Sequence, residues 1–366
     1  MFALQIALVA GARPNFMKIA PIIRELKRRG LPYKLIHTGQ HYDYNMSKIF
    51  FEQLSLPEPN YYLGVGSGTH NFQIAKTMLE LEKAYEEINP SLVIVAGDVN
   101  STLAGALSAV KAGFPVAHVE AGLRSFDRTM PEEINRLLTD MVSDLLFTTY
   151  KDAGDNLLRE GIAAEKVRFV GNTMIDTMLT LMEEIDNSHL PGKLGLEEST
   201  YLFITLHRPN NVDNHSTLAE IARAFEEVSE TGLSMVFPLH PRTRHNMQNF
   251  GFLERFSAIP GLLLTEPVNY IDSIALARGS KAVLTDSGGL QEETTFLGIP
   301  CLTLRPNTER PATITEGTNT LLDEGPSTIP REVEKIIRGE TKKGKVPPLW
   351  DGKAAERIAA IIESFL

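Results

Sequence analysis

Short runs of aliphatic and β-branched residues alternate with longer amphipathic stretches along most of the chain. Leu4–Val9 is a continuous apolar run, and Gly11-Ala-Arg13-Pro14 makes a turn after it. Met17, Ile19, Ile22, Ile23 and Leu26 then recur at helical spacing within Phe16–Arg29. Pro14 suits the first helical position, where no amide donor is required. Further strands are predicted at Tyr33–His37, Leu92–Ala96 and Val116–Val119, and further helices at Met46–Leu54, Phe72–Ile88 and Thr102–Ala112. Ser91-Leu-Val-Ile-Val-Ala96 lacks the alternation of a half-exposed strand, so it fits a parallel sheet covered on both faces. Strands that alternate with helices in this way predict crossover connections.

The pattern restarts past the middle. Strands are predicted at Tyr201–Leu206, Ser234–Pro238, Leu262–Thr265, Ala282–Thr285 and Cys301–Leu304, with a helix at Thr217–Glu230. Between the halves, Asn187–Gly195 is rich in turn formers. The expected fold is α/β, with two Rossmann-like, doubly wound parallel-sheet domains at residues 1–172 and 195–350. The amphipathic segment 353–366 is expected to pack back on the first. Two such domains would place a cleft at the carboxyl ends of both sheets.

A length of 366 residues agrees with two domains. The net charge of −10 argues against a nucleic-acid surface, which needs clustered Lys and Arg, but leaves room for a locally basic phosphate site. The single cysteine, Cys301, excludes an intramolecular disulfide and a cysteine-rich metal site, and it reads as a small core residue. No apolar stretch approaches the roughly 18 residues of a membrane span. Met1–Ala12 is apolar but has no basic residue ahead of it, so a strand is expected there rather than a signal segment. A soluble, cytoplasmic protein is expected.

The candidate chemistry sits at predicted strand ends. Val283-Leu-Thr-Asp286-Ser287-Gly288-Gly289 runs from a strand into a helix. Free amides at the helix start, glycines that admit a ligand and the Ser287 hydroxyl would make an anion seat. The alternative is a plain helix start capped by Ser287 with acids in its first turn. Glu292 or Glu293 could reach back to a ribose diol. Arg13 and Lys18 follow the first strand, and two cations beside a helix start read as phosphate binding, although either alone reads as a solvated side chain. Asp98 and Glu120 end two successive strands, and Glu132 and Glu133 open a helix. Clustered carboxylates raise one another's pKa and suit general acid–base work, whereas a lone acid at a strand end is more often a cap. His207 ends the first strand of the second half and is either a proton or hydrogen-bond donor or a structural histidine. His240 repeats that placement, His118 belongs to the core, and Arg310 is either a cation near the anion seat or a partner of Glu309. No Asp-x-Asp string or metal-ligand spacing occurs, so no metal is expected. Leaving-group charge would be met by Arg13, Lys18, His207, Arg310 and helix amides.

Seven strings then stand in order: Gly-x-Arg-Pro-x-x-x-Lys at 11–18, Gly-Asp at 97–98, His-Val-Glu-Ala-Gly-Leu-Arg at 118–124, Pro-Glu-Glu-x-Asn-Arg at 131–136, His-Arg at 207–208, Asp-Ser-Gly-Gly-x-Gln-Glu-Glu at 286–293 and Thr-Glu-Arg-Pro at 308–311. Through them the chain resembles the non-hydrolysing UDP-N-acetylglucosamine 2-epimerases along nearly its whole length. The resemblance implies the glycosyltransferase-B architecture, a UDP-sugar substrate, no cofactor and a homodimer. It implies elimination of UDP across C1–C2 to 2-acetamidoglucal, then re-addition with the proton on the other face. Carried over residue by residue, Asp98, Glu120 and Glu132 handle protons. His207, Arg13 and Lys18 lie at the diphosphate and glucal. Ser287, Gly288 and Gly289 hold phosphates, Glu293 the ribose, and Arg310 the sugar–phosphate side.

The chain departs from the family pattern at Asn15, where a glutamate is frequent, and at Pro209-Asn210 after the His-Arg pair. Gly64–Thr69 lacks the cation through which bacterial relatives hold an activating substrate, while Gln40-His41 is kept. The neighbouring alternative is an epimerase of UDP-2,3-diacetamido-2,3-dideoxy-glucuronic acid, which shares the string at 37–46. Those enzymes tend to carry Gln-Lys-Glu and Thr-Glu-Trp where this chain has Gln291-Glu292-Glu293 and Thr308-Glu309-Arg310, which favours the neutral sugar. A glycosyltransferase on the same fold would need an acceptor groove, and a non-catalytic sensor would be expected to lose some of the acids.

Overall fold

The computed structural model describes residues 4–39 and 51–366, except for the side chain of Arg13. Most of the helix expected at Met46–Leu54, together with Gln40-His41, lies outside the described residues. The chain forms two compact units, one of Met1–Leu179 with Pro348–Leu366 and one of Thr180–Pro347.

Unit 1 holds a seven-stranded parallel sheet: β1 Ile6–Ala10, β2 Tyr33–His37, β3 Tyr61–Tyr62, β4 Leu92–Ala96, β5 Val116–Val119, β6 Leu145–Thr148 and β7 Val167–Phe169. Their spatial order is β3-β2-β1-β4-β5-β6-β7. The register pairs Val9 with Val95 and Ala96 with Val119. Every residue of β1 and β4 is buried, as the unbroken apolar runs predict for strands covered on both faces. Burying one such Ile, Leu or Val side chain contributes about 1.5–3 kcal/mol. The helix after β1 begins at Arg13 rather than Phe16, because Pro14 fits its first turn. The chain's C-terminal segment belongs to this unit. Trp350 is buried and donates from Nε1 to the Thr149 carbonyl at 3.1 Å. The helix Ala354–Phe365 starts on Asp176, whose carboxylate accepts from the Ala354 and Ala355 amides at 3.2 and 2.8 Å. Burial raises the Asp176 carboxyl to about 6.

Unit 2 repeats the plan with six parallel strands: β8 Tyr201–Thr205, β9 Ser234–Pro238, β10 Leu262–Thr265, β11 Ala282–Thr285, β12 Cys301–Thr303 and β13 Asn319–Leu321. Their order is β10-β9-β8-β11-β12-β13. One core joins Leu202, Ile204, Phe225, Phe237, Leu284 and Leu302 with the helix Ile329–Ile337. The strands that the hydrophobic pattern misses, β3, β6, β7 and β13, have two to four residues, too few to establish a period.

Candidate active site

In each sheet the strand order reverses beside the unit's first strand, with β1 between β2 and β4 and β8 between β9 and β11. Ligands of doubly wound sheets bind beyond the carboxyl ends of the strands at such a switch. Gly11–Lys18 follow β1 and Gly97-Asp98 follow β4, while Glu120 follows β5. In unit 2, His207 comes two residues after β8 and Ser287 two residues after β11.

In unit 1, Asn15 joins the first two turns. Its Oδ1 accepts from the Ala12 amide at 3.1 Å, and its Nδ2 donates to the Ala96 carbonyl at 2.6 Å. Gly97 takes a left-handed φ of 71°, and a Cβ there would stand 2.7 Å from Lys18 Nζ and 3.4 Å from Glu120 Oε2. Only glycine leaves that space for the buried Lys18–Glu120 ion pair. Lys18, expected at a diphosphate, is thus turned onto Glu120. Glu120 itself has a φ of 71°, a conformation that costs a non-glycine residue about 1–3 kcal/mol. The Phe147 carbonyl holds it there by accepting from the Glu120 and Ala121 amides at 3.1 and 3.0 Å.

Asp98 takes both Arg136 Nε and Nη2 on Oδ2, at 3.1 and 2.5 Å. Glu132 and Glu133 separate clearly. Glu133 is buried and accepts from the Ser125 amide and hydroxyl (2.9 and 3.0 Å), the Phe126 amide (2.9 Å) and Arg136 Nη1 (2.8 Å). Its capacity is used in holding the loop and Arg136. Glu132 is half-buried, and its side chain has no partner among the described residues. His118 is fully buried, with Nδ1 at 2.6 Å from Asp140 Oδ1 and Nε2 at 2.8 Å from the Gly97 carbonyl. Near Gly64–Thr69, where the sequence has no cation, Lys76 donates to the Gly64 and Val65 carbonyls at 2.9 and 3.0 Å.

In unit 2 the buried Asp286 organises the turn. It accepts from the His207 and Arg208 amides at 2.9 and 2.8 Å, from Asn211 Nδ2 at 3.0 Å, and lies 3.0 Å from His207 Nδ1. Burial alone would raise this carboxyl, but His207, the Arg208 amide and Asn211 outweigh it and hold it below its ordinary value. Occupying Nδ1 leaves His207 Nε2 without a partner among the described residues. The plain capped-helix alternative fails in detail. The Ser287 side chain makes no cap, and the first turn of Gly288–Leu297 holds no acid. The Ser287 hydroxyl therefore stays available beside the free helix amides. A Cβ on Gly288 would come within 2.5 Å of Arg310 Nη1, so the guanidinium rests against that α-carbon. Arg310 is buried and paired with Glu309 and, at 3.2 Å, with Glu292, and Arg305 grips the other oxygen of Glu309 at 2.8 Å. Burial pushes the Glu293 carboxyl up to about 7, against the pull of the Tyr270 hydroxyl that donates to it at 2.8 Å. Gly289 is half-buried at the helix start.

His240 caps the next helix by accepting the Arg242 amide at 3.2 Å. Burial raises the Cys301 thiol to about 11, which suits a core residue and not a nucleophile. Among the described residues no group of three or more His, Cys, Asp or Glu is placed to hold a metal, and no helix is long and apolar enough to cross a membrane. Arg136, Asn15, Asp286 and Tyr270 escape sequence reasoning as site residues. Asp286 alone has a visible signal, an acid at the end of an apolar strand.

The family model for UDP-N-acetylglucosamine 2-epimerase matches residues 24–363. The UDP-N-acetylglucosamine 2-epimerase of Methanocaldococcus jannaschii is 42% identical over 98% of this chain and 99% of its own length. This chain belongs to the UDP-N-acetylglucosamine 2-epimerase family. Another relative, the UDP-2,3-diacetamido-2,3-dideoxy-D-glucuronate 2-epimerase of Pseudomonas aeruginosa, is 40% identical over 97% of this chain and 98% of its own. The crystal structure of the M. jannaschii UDP-GlcNAc 2-epimerase in complex with UDP-GlcNAc and UDP superimposes with a TM-score of 0.90 at 41% identity, covering 99% of this chain and all of that one. The architecture is the glycosyltransferase-B type expected of the family, and among the described residues every strand runs parallel to its neighbours within its own sheet.

Proposed function

We propose that this epimerase interconverts UDP-N-acetylglucosamine and UDP-N-acetylmannosamine by eliminating and re-adding UDP. The C2 proton has no adjacent carbonyl to acidify it, so a carboxylate removes it while the C1–oxygen bond breaks. The electron pair of the C–H bond forms the C1–C2 double bond, and UDP leaves with the pair of the C–O bond. The 2-acetamidoglucal then turns its other face, UDP re-forms the bond to C1, and a carboxylic acid returns a proton to C2. The observation that carries this reading is the placement of Asp98 and Glu120 on adjacent strand ends, each braced by a cation, Arg136 and Lys18. Glu132, the uncommitted acid of its helix, is assigned as the third proton-handling group. In unit 2 we assign the diphosphate to Ser287 and to the amides of Gly288 and Gly289. His207 and Arg310 neutralise the leaving group, with Arg13 as a further cation, and Glu293 accepts from the ribose hydroxyls. Fixed donors of this kind stabilise developing phosphate charge by several kcal/mol.

The test is incubation with UDP-N-acetylglucosamine in D₂O without added metal or nicotinamide. The manno epimer should form with deuterium at C2. The relative from P. aeruginosa motivates a second substrate, the diacetamido-glucuronate, in a parallel tube. Exchange with that sugar alone would transfer the assignment to it, and UDP release only with an acceptor present would indicate a transferase.

A further inference from the structure

His118 and Asp140 do work in unit 1 that neither the sheet nor the substrate requires of them. Both are buried, at 0% and 1% exposure, His118 in β5 among the apolar Val116, Ala117 and Val119, and Asp140 on the helix Pro131–Val142. A polar pair there is tolerated only when every hydrogen-bonding site is met, and here it is. His118 Nδ1 faces the Asp140 carboxylate at 2.6 Å and Nε2 faces the Gly97 carbonyl at 2.8 Å. Both partners can accept, so each ring nitrogen faces an oxygen to which it can donate. The second oxygen of Asp140 accepts from the Gly122 amide at 3.1 Å and pairs with Arg124 Nη1 at 2.7 Å. Glu160 takes Nε and Nη2 of that same arginine at 2.8 and 2.6 Å. Burial would raise the Asp140 carboxyl, but His118 and Arg124 outweigh it and hold it low.

Gly97 opens the turn that presents Asp98, and Gly122 lies in the turn that presents Glu120. One carboxylate therefore ties both turns, through the imidazole on one side and directly on the other. We propose that the His118–Asp140 pair sets the spacing of Asp98 and Glu120, so that both are positioning residues for proton transfer. The proposal rests on the reading that those two acids handle the C2 proton. A displacement of about 1 Å of reacting groups costs on the order of 10²-fold in rate.

Two conservative variants separate positioning from bulk stability. The amide of His118→Gln occupies the place of Nε2 and keeps the donor to the Gly97 carbonyl but loses Asp140, whereas that of His118→Asn occupies the place of Nδ1 and keeps only the Asp140 side, so each variant cuts the tie at one end. Each variant should lower kcat by about 10–100-fold, with KM and the UDP affinity measured by calorimetry unchanged in both. A wild-type kcat in either variant, a change in KM alone, or failure of both to fold would overturn the proposal and leave the pair as a core element. In those cases deuterium incorporation by the wild-type enzyme would still uphold the epimerase reading. Absence of exchange in the wild type would remove that reading itself.

Discussion

Unit 1 and unit 2 share one plan, a parallel sheet whose strand order turns beside its first strand, yet the two turns expose opposite partners of their ion pairs. In unit 1 the cation stands behind the acid: the Asp98 side chain is 23% exposed and that of Arg136 only 3%. In unit 2 the acid stands behind the donor: the His207 side chain is 41% exposed and that of Asp286 0%. The Lys18–Glu120 and Arg310–Glu309 pairs are buried on both sides and do not take part in this contrast. A paired acid and nitrogen donor thus present an acid or a donor according to which member the fold turns outward. Composition cannot reveal this, because both members are present in either case. The contrast supports the proposed division, proton transfer in unit 1 and UDP in unit 2, and variants can test each half separately.

The largest effect is expected in unit 1. Asp98→Asn, Glu120→Gln and Glu132→Gln should each lower turnover by about 10² or more, as removal of a general acid or base does. UDP affinity, measured by calorimetry, should stay within about twofold of wild type. A variant that loses UDP binding together with turnover would break the division of labour. Next comes unit 2. Gly288→Ala places a methyl 2.5 Å from Arg310 Nη1, so the guanidinium or the helix start must shift. UDP affinity should fall about tenfold, roughly 1.4 kcal/mol. Normal affinity in this variant would mean that UDP sits elsewhere.

The two neighbouring glutamates sharpen the comparison within unit 1. Glu133→Gln removes the charge that accepts from Ser125, Phe126 and Arg136, and breaking a buried pair of this kind costs about 3 kcal/mol. A lower denaturation midpoint at constant slope would show it. Glu132→Gln breaks no bond among the described residues and should leave that midpoint where it was. Reversed stabilities would exchange the roles assigned to the pair.

Much of this architecture is written in the chain, because buried parallel strands such as Val93-Ile94-Val95 need unbroken apolar runs and their strand ends fix where polar residues matter. The positions of Asp98, Glu120, His207 and Ser287 follow from that rule. Their partners do not. Arg136 meets Asp98 across 38 residues, and Asp286 meets His207 across 79. Periodicity carries no information on such long-range pairings. Lys18 shows the same limit from the other side. Its place near a helix start is visible in the sequence, but the direction of its ammonium depends on the left-handed turn at Gly97. The choice between Glu132 and Glu133 likewise rests on which face of their helix meets the Ser125–Phe126 loop.

The smallest effect tests unit 2 without changing its shape. The Glu293 carboxyl titrates at about 7 in the folded chain, above its ordinary value of 4.5. A raised carboxyl favours its protonated form in the native state. Its contribution to stability is therefore complete below pH 4.5 and is lost as pH rises through about 7. Glu293→Gln should remove that part of the pH slope, so the variant gains on wild type in thermal unfolding as pH rises from 4.5 to about 7. Ligand binding runs the opposite way. Ribose hydroxyls donate best to the ionised carboxylate, so UDP draws Glu293 into that form and a proton leaves on binding. The terminal phosphate of UDP titrates near pH 6 as well, so the informative quantity is the difference between wild type and Glu293→Gln. Calorimetry at pH 6.5 in buffers of different ionisation enthalpy should count more protons released by the wild type. Its affinity should also rise a few-fold more steeply with pH than that of the variant. Equal proton counts would mean that the ribose is held by another group, and unit 2 would keep its anion seat while losing its assigned sugar contact.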